Sequence, residues 1–585
     1  VADWMNELAA TVLLPLVGVG LIWALGESSR NAARWIALGT SIVTLLAAGR
    51  LMLAFPDVAP FDRLWVSSPG VQVHFSLALD GLSAWLFGLS ALLVFTSVLV
   101  SWEAIKDRAP LFYSLLLLLE TAMLGVFAAR DIILFYVCFE FTLIPLFFLI
   151  GVWGHEDRRY AAIKFFLFTF TGSVLTFLGL LSIVLWNFYH ATPGVLDFSF
   201  NAVTAGLKSQ PIDPQLQLVL FLALFAGFAV KVPLFPVHTW LPLAHTQAPT
   251  AGSVLLAGIL LKVGAYGFLR FSLPLLPDAA ATCMPWLLGL SVAGIIYGAL
   301  VALVQKDMKR LIAYSSVSHL GFCMLGLFSL NRLGVQGGVL QMINHGLSTG
   351  GLFALVGMIY DRYHTREISQ YGGLAKRTPL LAMFMVIFTL SSVGLPGLNG
   401  FAGEFLLLLG AFQRGWTDAP EAWWLPMRIF SVLSVTGVIL GAWYMLWLVQ
   451  RVFFGPLKEP EQVGAHEPVK DLNFREVCAL APLVVFVFWI GIAPHHFLKP
   501  IAPTLDPLAD EIALRLEQRR APVEPAAPAL IADRRFVGPT TAAPQSEVPV
   551  ARLPALGLPA AELSDSGSPV AASARSEERE APRAD

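Results

Sequence analysis

The sequence predicts an all-α, polytopic membrane protein of about fourteen transmembrane helices, two of them broken. Three observations carry that reading. Hydrophobic residues make up 56% of the 585 and charged residues only 13%, too few charges to cover a water-soluble protein of this length. Apolar runs of about 20 residues, enough to cross a bilayer, recur as far as residue 495. Two of these runs are over-long and hold helix breakers in their middles.

In chain order, residues 1–109 hold spans one to three, near 9–26, 33–55 and 80–101. Leu13–Leu25 resembles a signal-peptide core, but its flank is acidic (Asp3, Glu7), so a retained first helix is expected. Spans four to eight lie near 110–129, 131–153, 159–187, 215–246 and 251–273, and form one unit over 110–273. Spans nine to thirteen lie near 282–304, 308–328, 333–360, 378–412 and 427–453, a second unit over 282–453. Span seven is interrupted by Lys231-Val-Pro-Leu-Phe-Pro236 and span twelve by Gly394-Leu-Pro-Gly-Leu-Asn-Gly400. Breaks at membrane depth survive only where protein or a watery cavity satisfies the freed backbone groups. Each unit carries its break in its fourth helix, and units of five helices must enter the membrane from opposite sides. Helix order therefore predicts two inverted five-helix repeats with the working site near the breaks, although residue-level similarity between the halves is faint.

Residues 474–500 supply span fourteen. Over 501–585 a short amphipathic helix is expected, since Leu505, Leu508, Ile512 and Leu516 share a face and Glu511 and Arg515 are an i,i+4 pair. Past Ala521 the Pro/Ala-rich composition predicts a disordered tail. Lys and Arg concentrate in the loops after spans one, three, five, nine, eleven and thirteen, among them Arg30, Lys106, Arg158, Lys306, Arg366 and Lys470. These loops are expected in the cytoplasm, and an even number of spans then leaves both termini on the periplasmic side of a bacterial inner membrane.

The residues that break the apolar pattern are the candidates for chemistry. Glu140 lies mid-span in Asp131–Trp153, and Lys231, Lys262 and Glu404 each sit in their own apolar segment. Ionisable groups at that depth are costly and mark ion or proton pathways by default. Glu140 and Lys231 form a first candidate pair that a passing proton could switch; a static buried ion pair is the alternative. Lys262 sits among leucines, where snorkelling is awkward. Glu404 follows the second break, where capping a half-helix is the competing role. His238, His245, His319, His345 and Lys164 are relay candidates, each histidine equally readable as a satisfied core residue. Glu120 also lies within a span, with a weaker claim. No carboxylate or cysteine stands at ligand spacing from these histidines, so no metal site is expected. Cys138, Cys283, Cys323 and Cys478 are far apart and read as packing residues. The chain has no dinucleotide fingerprint, flavin motif or cluster framework, and its net charge of −2 gives no case for nucleic acid.

Several strings resemble the antiporter-like membrane subunits of NADH–quinone oxidoreductase (respiratory complex I), over about residues 80–495. They are Phe139-Glu140-Phe-Thr-Leu-Ile-Pro145, Ala229-Val-Lys231-Val-Pro233, His238-Thr-Trp-Leu-Pro242, Ala244-His-Thr-Gln-Ala-Pro-Thr-Ala-Gly-Ser-Val254, Lys309-Arg-Leu-Ile-Ala-Tyr-Ser-Ser-Val-Ser-His319, Gln341-Met-Ile-Asn-His345 and Asn399-Gly-Phe-Ala-Gly-Glu-Phe405. The glutamate at 404 is similar to the subunit M (mitochondrial chain 4) type, where L, N and sodium/proton antiporter relatives usually place lysine. The resemblance implies a proton-translocating membrane-arm subunit: Glu140 and Lys231 as the coupled pair, Lys262 as central relay, Glu404 as exit-side carrier, His319 and His345 on the connecting axis. It implies no cofactor in this chain, with FMN, iron–sulfur clusters and quinone on partner subunits, and L- and N-type subunits as neighbours. Leu243 departs from the aspartate of many relatives. A multi-subunit cation/proton antiporter and a membrane-bound hydrogenase-type complex share the same module and remain alternatives.

Overall fold

The computed structural model describes residues 5–26, 30–192, 194–419, 421–460 and 469–518. The tail expected past Ala521 lies outside the described residues. Among the described residues thirteen helices are long and apolar enough to cross a membrane.

The first spans are α1 (Glu7–Ala24) and α2 (Arg30–Ala54), followed by a hairpin of β1 (Phe61–Ser68) and β2 (Val71–Leu77). Next come α3 (Ser83–Ala104), α4 (Ala109–Ala128), and a fifth span made of α5 (Ile132–Phe141) and α6 (Leu143–Trp153). The sixth span is α7 (Arg158–His190); a short β3 (Leu196–Asp197) pairs parallel to β2, and α8 (Phe200–Ser209) follows. The interrupted seventh span is α9 (Pro214–Lys231), a break, and α10 (Trp240–Gln247). The eighth is α11 (Thr250–Leu255), α12 (Leu261–Gly267) and α13 (Leu273–Leu275), with π-helical turns at Leu256–Leu260 and Phe268–Ser272. Then α14 (Pro277–Leu303), α15 (Met308–Phe328) and α16 (Arg332–Tyr363) cross in turn. The interrupted twelfth span is α17 (Pro379–Val393) and α18 (Asn399–Trp416), followed by α19 (Trp424–Phe453), α20 (Phe474–Ile492) and α21 (His495–Gln518).

Both breaks stand where proline and glycine placed them. Pro233 and Pro236 cannot donate to the i−4 carbonyl, so α9 stops at Lys231. Gly394 closes α17 with φ +78, a conformation that suits glycine. Thr250–Leu275 and α16 are buried along their hydropathic windows, whereas α2 and α20 are mostly uncovered. The core therefore surrounds spans eight and eleven. Where α16 passes α18 the fit is backbone on backbone: a Cβ at Gly337 would strike the Leu407 amide, and one at Gly410 the Gly334 amide. Small residues let helices approach closely where no water is present to drive association.

Ion pairs close the ends. Arg362 grips Glu476 through two bonds of 2.7 and 3.0 Å, tying the end of α16 to the capping box of α20. On the opposite side Asp80 takes Arg270 at 2.7 Å and Arg130 at 3.1 Å. Burial pushes the Asp80 carboxyl up, but the Arg270 and Arg130 guanidiniums outweigh it and hold it well below the usual carboxylate range. Asp131 caps α5 and also accepts the His74 amide of β2 at 2.9 Å, fixing the hairpin to the helices.

The structure corrects the carboxyl-terminal boundaries. Span fourteen ends at Ile492 rather than 500, and the amphipathic helix begins at His495 and runs through Pro500, Pro503 and Pro507. Its stripe of Phe497, Ile501, Leu505, Ala509, Ile512 and Leu516 is buried, and Arg515 meets Asp278 at 3.0 Å. Packing of that stripe offsets the backbone bonds that the prolines forgo. The hairpin and α8 were absent from the sequence expectation, because between long apolar spans a short strand or helix has too few residues to show a period.

Candidate functional site

Four of the expected residues meet in one file. Lys262 lies on α12, between the two π-helical turns, and is 0% exposed. Its Nζ donates to the Ala257 carbonyl within its own span and lies 2.6 Å from His345 Nδ1 on α16. The His345 ring is 5.7 Å from that of His319 on α15. His319 Nδ1 in turn lies 3.6 Å from Glu404 Oε1 on α18. Lysine, two histidines and a carboxylate from four different spans therefore form one buried axis.

Polar side chains that sequence reasoning passed over hold the far end of this axis. Gln341 donates to Glu404 Oε1 at 3.1 Å, and Asn344 donates to Gln341 Oε1 at 3.1 Å and to the Asn399 carbonyl at 2.7 Å. Ser392 lies 3.1 Å and the Tyr444 hydroxyl 3.5 Å from His319 Nε2. Gln341, Asn344, His345 and Ser348 fall at spacings of three and four within an apolar helix, one polar face that could have been read from the sequence. The Glu404 carboxylate reaches over the break: a Cβ at Gly394 would stand 2.5 Å from its Oε2. Its partners are side chains, so half-helix capping does not describe it.

The first break is arranged differently. Lys231 ends α9, a favourable place for a cation, and its Nζ lies 3.4 Å from Thr142 Oγ1 and 4.7 Å from the Phe139 ring centre. Thr142 is the joint between α5 and α6. Glu140, two residues earlier, does not reach Lys231 within 4.0 Å; it is half-buried, faces Ser173 of α7, and its Oε1 has no hydrogen-bond partner. The expected pair is thus two neighbouring groups without a direct bond, since successive helical residues point about 100° apart. No hydrogen bond joins Lys231 to Lys262.

The remaining candidates divide. His238 stands in the first break, 3% exposed, with Nδ1 unpartnered and its ring 5.0 Å from that of Tyr297. His245 on α10 is 0% exposed, stacked 4.5 Å from Phe353, with neither ring nitrogen bonded. It lies in the field of both Lys262 and Lys309. Lys309, buried at the start of α15, donates to the Ala248 carbonyl. Lys164 stands apart from the axis: it is only about 9 Å, at 1.5 Å per residue, from the start of α7. There it lies half-buried between the rings of Tyr160 and Phe168. Leu243 is half-buried in α10. Among the described residues no group of three His, Cys, Asp or Glu could hold a metal, and the four cysteines are free.

A many-span helical protein whose interrupted helices adjoin buried lysine, histidine and glutamate is an antiporter-like membrane subunit. The chain belongs to the NADH:quinone oxidoreductase/Mrp antiporter transmembrane family, whose profile matches residues 129–424. NADH-quinone oxidoreductase subunit M of Rhodobacter capsulatus is 42% identical over 510 residues, covering 86% of this chain and 96% of that one. A chain of respiratory complex I from Thermus thermophilus superimposes with a TM-score of 0.74 at 35% identity, covering 87% of this chain and all of its own. A chain of the Mrp complex of a Dietzia species shares the fold, with a TM-score of 0.72 at 20% identity over 88% of this chain.

Proposed function

We propose that this chain translocates protons across the membrane as an M-type subunit in the membrane arm of a respiratory NADH–quinone oxidoreductase. The observation that carries the reading is the file Lys262–His345–His319–Glu404, in which neighbouring titratable groups stand close enough to pass a proton directly or through one water. Lys262 is the central relay and Glu404 the outlet-side carrier. Glu140 and Lys231 act as a coupled couple at the first break, where arrival of a proton on one changes the energy of the charge on the other. His245 and Lys309 supply protons to Lys262 from the lysine- and arginine-rich face, and His238 lies beside that route. Lys164, by its position, has at most a surface role.

Residues 110–273 and 282–453 are read as inverted repeats, each with its break in its fourth helix, which puts the working site near the breaks. The lysine- and arginine-rich loops face the cytoplasm of a bacterial cell, leaving the described ends of the chain at the periplasmic face. L- and N-type subunits flank it, and flavin, iron–sulfur clusters and quinone are held by other subunits, so this chain converts a conformational or electrostatic signal into proton movement. The test is the purified complex in sealed vesicles, with NADH oxidation and acidification followed together. Coupled pumping that is lost in Lys262→Gln while the complex stays assembled supports the reading. Unchanged pumping, or sodium-driven exchange by the chain without redox partners, overturns it.

A further inference from the structure

The helices outside the axis hold a carboxylate that the axis does not use. Glu120, midway along α4, is 0% exposed, and neither of its oxygens has a hydrogen-bond partner. No charged side chain bears on it. The charged groups of the helices packed around α4 are occupied elsewhere. Glu7 of α1 pairs with Arg50 of α2 at 2.9 Å, Glu103 of α3 pairs with Arg475 at 3.2 Å, and Glu140 of α5 faces α7. Arg30 and Arg34 stand in the first two turns of α2, Cys138 of α5 packs beneath Gly125, and α6 has no titratable side chain. A carboxylate without a cation or a donor, in surroundings this apolar, neutralises itself by keeping its proton.

A second set of observations gives that proton a route. Tyr113 stands seven residues before Glu120, two turns away on the same helix face. Its hydroxyl is buried and lies against the Arg34 guanidinium. Arg34 donates to the Ile105 carbonyl at 2.8 Å, where the chain leaves α3. The hydroxyls of Ser97 on α3 and Ser114 on α4 are buried and unpartnered, and both lie within about two turns of the loop joining these antiparallel helices. Orphan polar atoms grouped in this way are what ordered water serves. The axis lies across α3, whose Leu89 and Leu93 pack against Gly346, Gly258 and Gly350.

We propose that Glu120 is a proton-binding site separate from the Lys262–Glu404 axis, a carboxylic acid that exchanges its proton with water at the α3–α4 loop by way of Tyr113. The step is a simple transfer: the acid O–H breaks, water takes the proton, and the carboxylate regains one on return. The whole complex, in lipid nanodiscs, is examined by infrared spectroscopy in the carbonyl region of protonated carboxylic acids, in H2O and after transfer to D2O. The parent should show a band that Glu120→Gln removes and Glu120→Asp displaces, the latter serving if the glutamine variant fails to assemble. Tyr113→Phe should keep the band and slow its deuteration several-fold. A spectrum that neither Glu120 variant changes, or deuteration as fast in Tyr113→Phe as in the parent, overturns the proposal. The readout is independent of whether the chain pumps.

Discussion

The ammonium of Lys262 and the Nδ1 of His345 stand 2.6 Å apart on different helices, both fully enclosed. For Lys262 to donate as an ammonium, Nδ1 must be the bare nitrogen, which puts the imidazole proton on Nε2. His345 Nε2 is buried without a partner, so the histidine can accept a proton on one side and release another on the side turned toward its neighbours. Lys262→Arg keeps a charge but gives up the ability to lose it. Arginine should therefore assemble and still lose most of the proton pumping measured in vesicles, as should Lys262→Gln; pumping retained by the arginine variant would show that Lys262 need not deprotonate.

At the other end of the axis, Glu404 accepts from Gln341 and faces His319. Glu404→Gln should leave assembly intact and cut pumping strongly, while Glu404→Asp should be mild. Glu404→Lys replaces an anion by a cation beside His319 and should also fail. Whenever the His319 ring carries a proton, two like charges about 4 Å apart at an effective dielectric near 20 repel by roughly 4 kcal/mol. The measurement is acidification per NADH oxidised, and a lysine variant equal to the parent would remove the specific role of the carboxylate.

Asp80 pairs with both Arg270 and Arg130. Asp80→Ala leaves Arg270, only 7% exposed, buried without its counter-ion, a loss of about 3–5 kcal/mol for breaking a buried pair. The expected result is a lower thermal midpoint and less assembled complex, with Asp80→Asn intermediate. Because the folded-state pKa of Asp80 is depressed, its contribution is present above the ordinary carboxylate range and is lost as pH falls below it.

His155, in the loop before α7, is pushed down from 6.5 to about 4 by burial and by the neighbouring Lys309 and Arg366 charges. The folded chain then binds fewer protons there than the unfolded chain between those two values. Stability should fall as pH drops from about 6.5 toward about 4 and be unaffected above it. His155→Gln should flatten that part of the midpoint-against-pH curve measured on the assembled complex.

The spans and both breaks were legible because each is a statement about composition: twenty apolar residues, or proline and glycine inside them. Lys262, His319, His345 and Glu404 were legible as polar residues in apolar runs. What the sequence withheld is azimuth and reach. Glu140 and Lys231 looked like an ion pair, yet Lys231 turns to Thr142 and Phe139. Lys164, a relay candidate by sequence, lies near the start of its helix and apart from the axis. The amphipathic helix was expected only past residue 501, whereas a buried stripe carries α21 from His495 straight through three prolines.

The glycine contacts between α16 and α18 bear on how this protein can move. Main chain pressed against main chain has no rotamers to spend, so the stretch around Gly334, Gly337 and Gly410 acts as a fixed post. Glu404 sits between that post and the turn at Gly394–Leu398, which is closed by the Leu398 to Leu395 backbone bond and pressed against Gly491. With main chain held on both sides of it, the helix leaves any displacement of the carboxylate beside His319 to the rotamers of the Glu404 side chain itself.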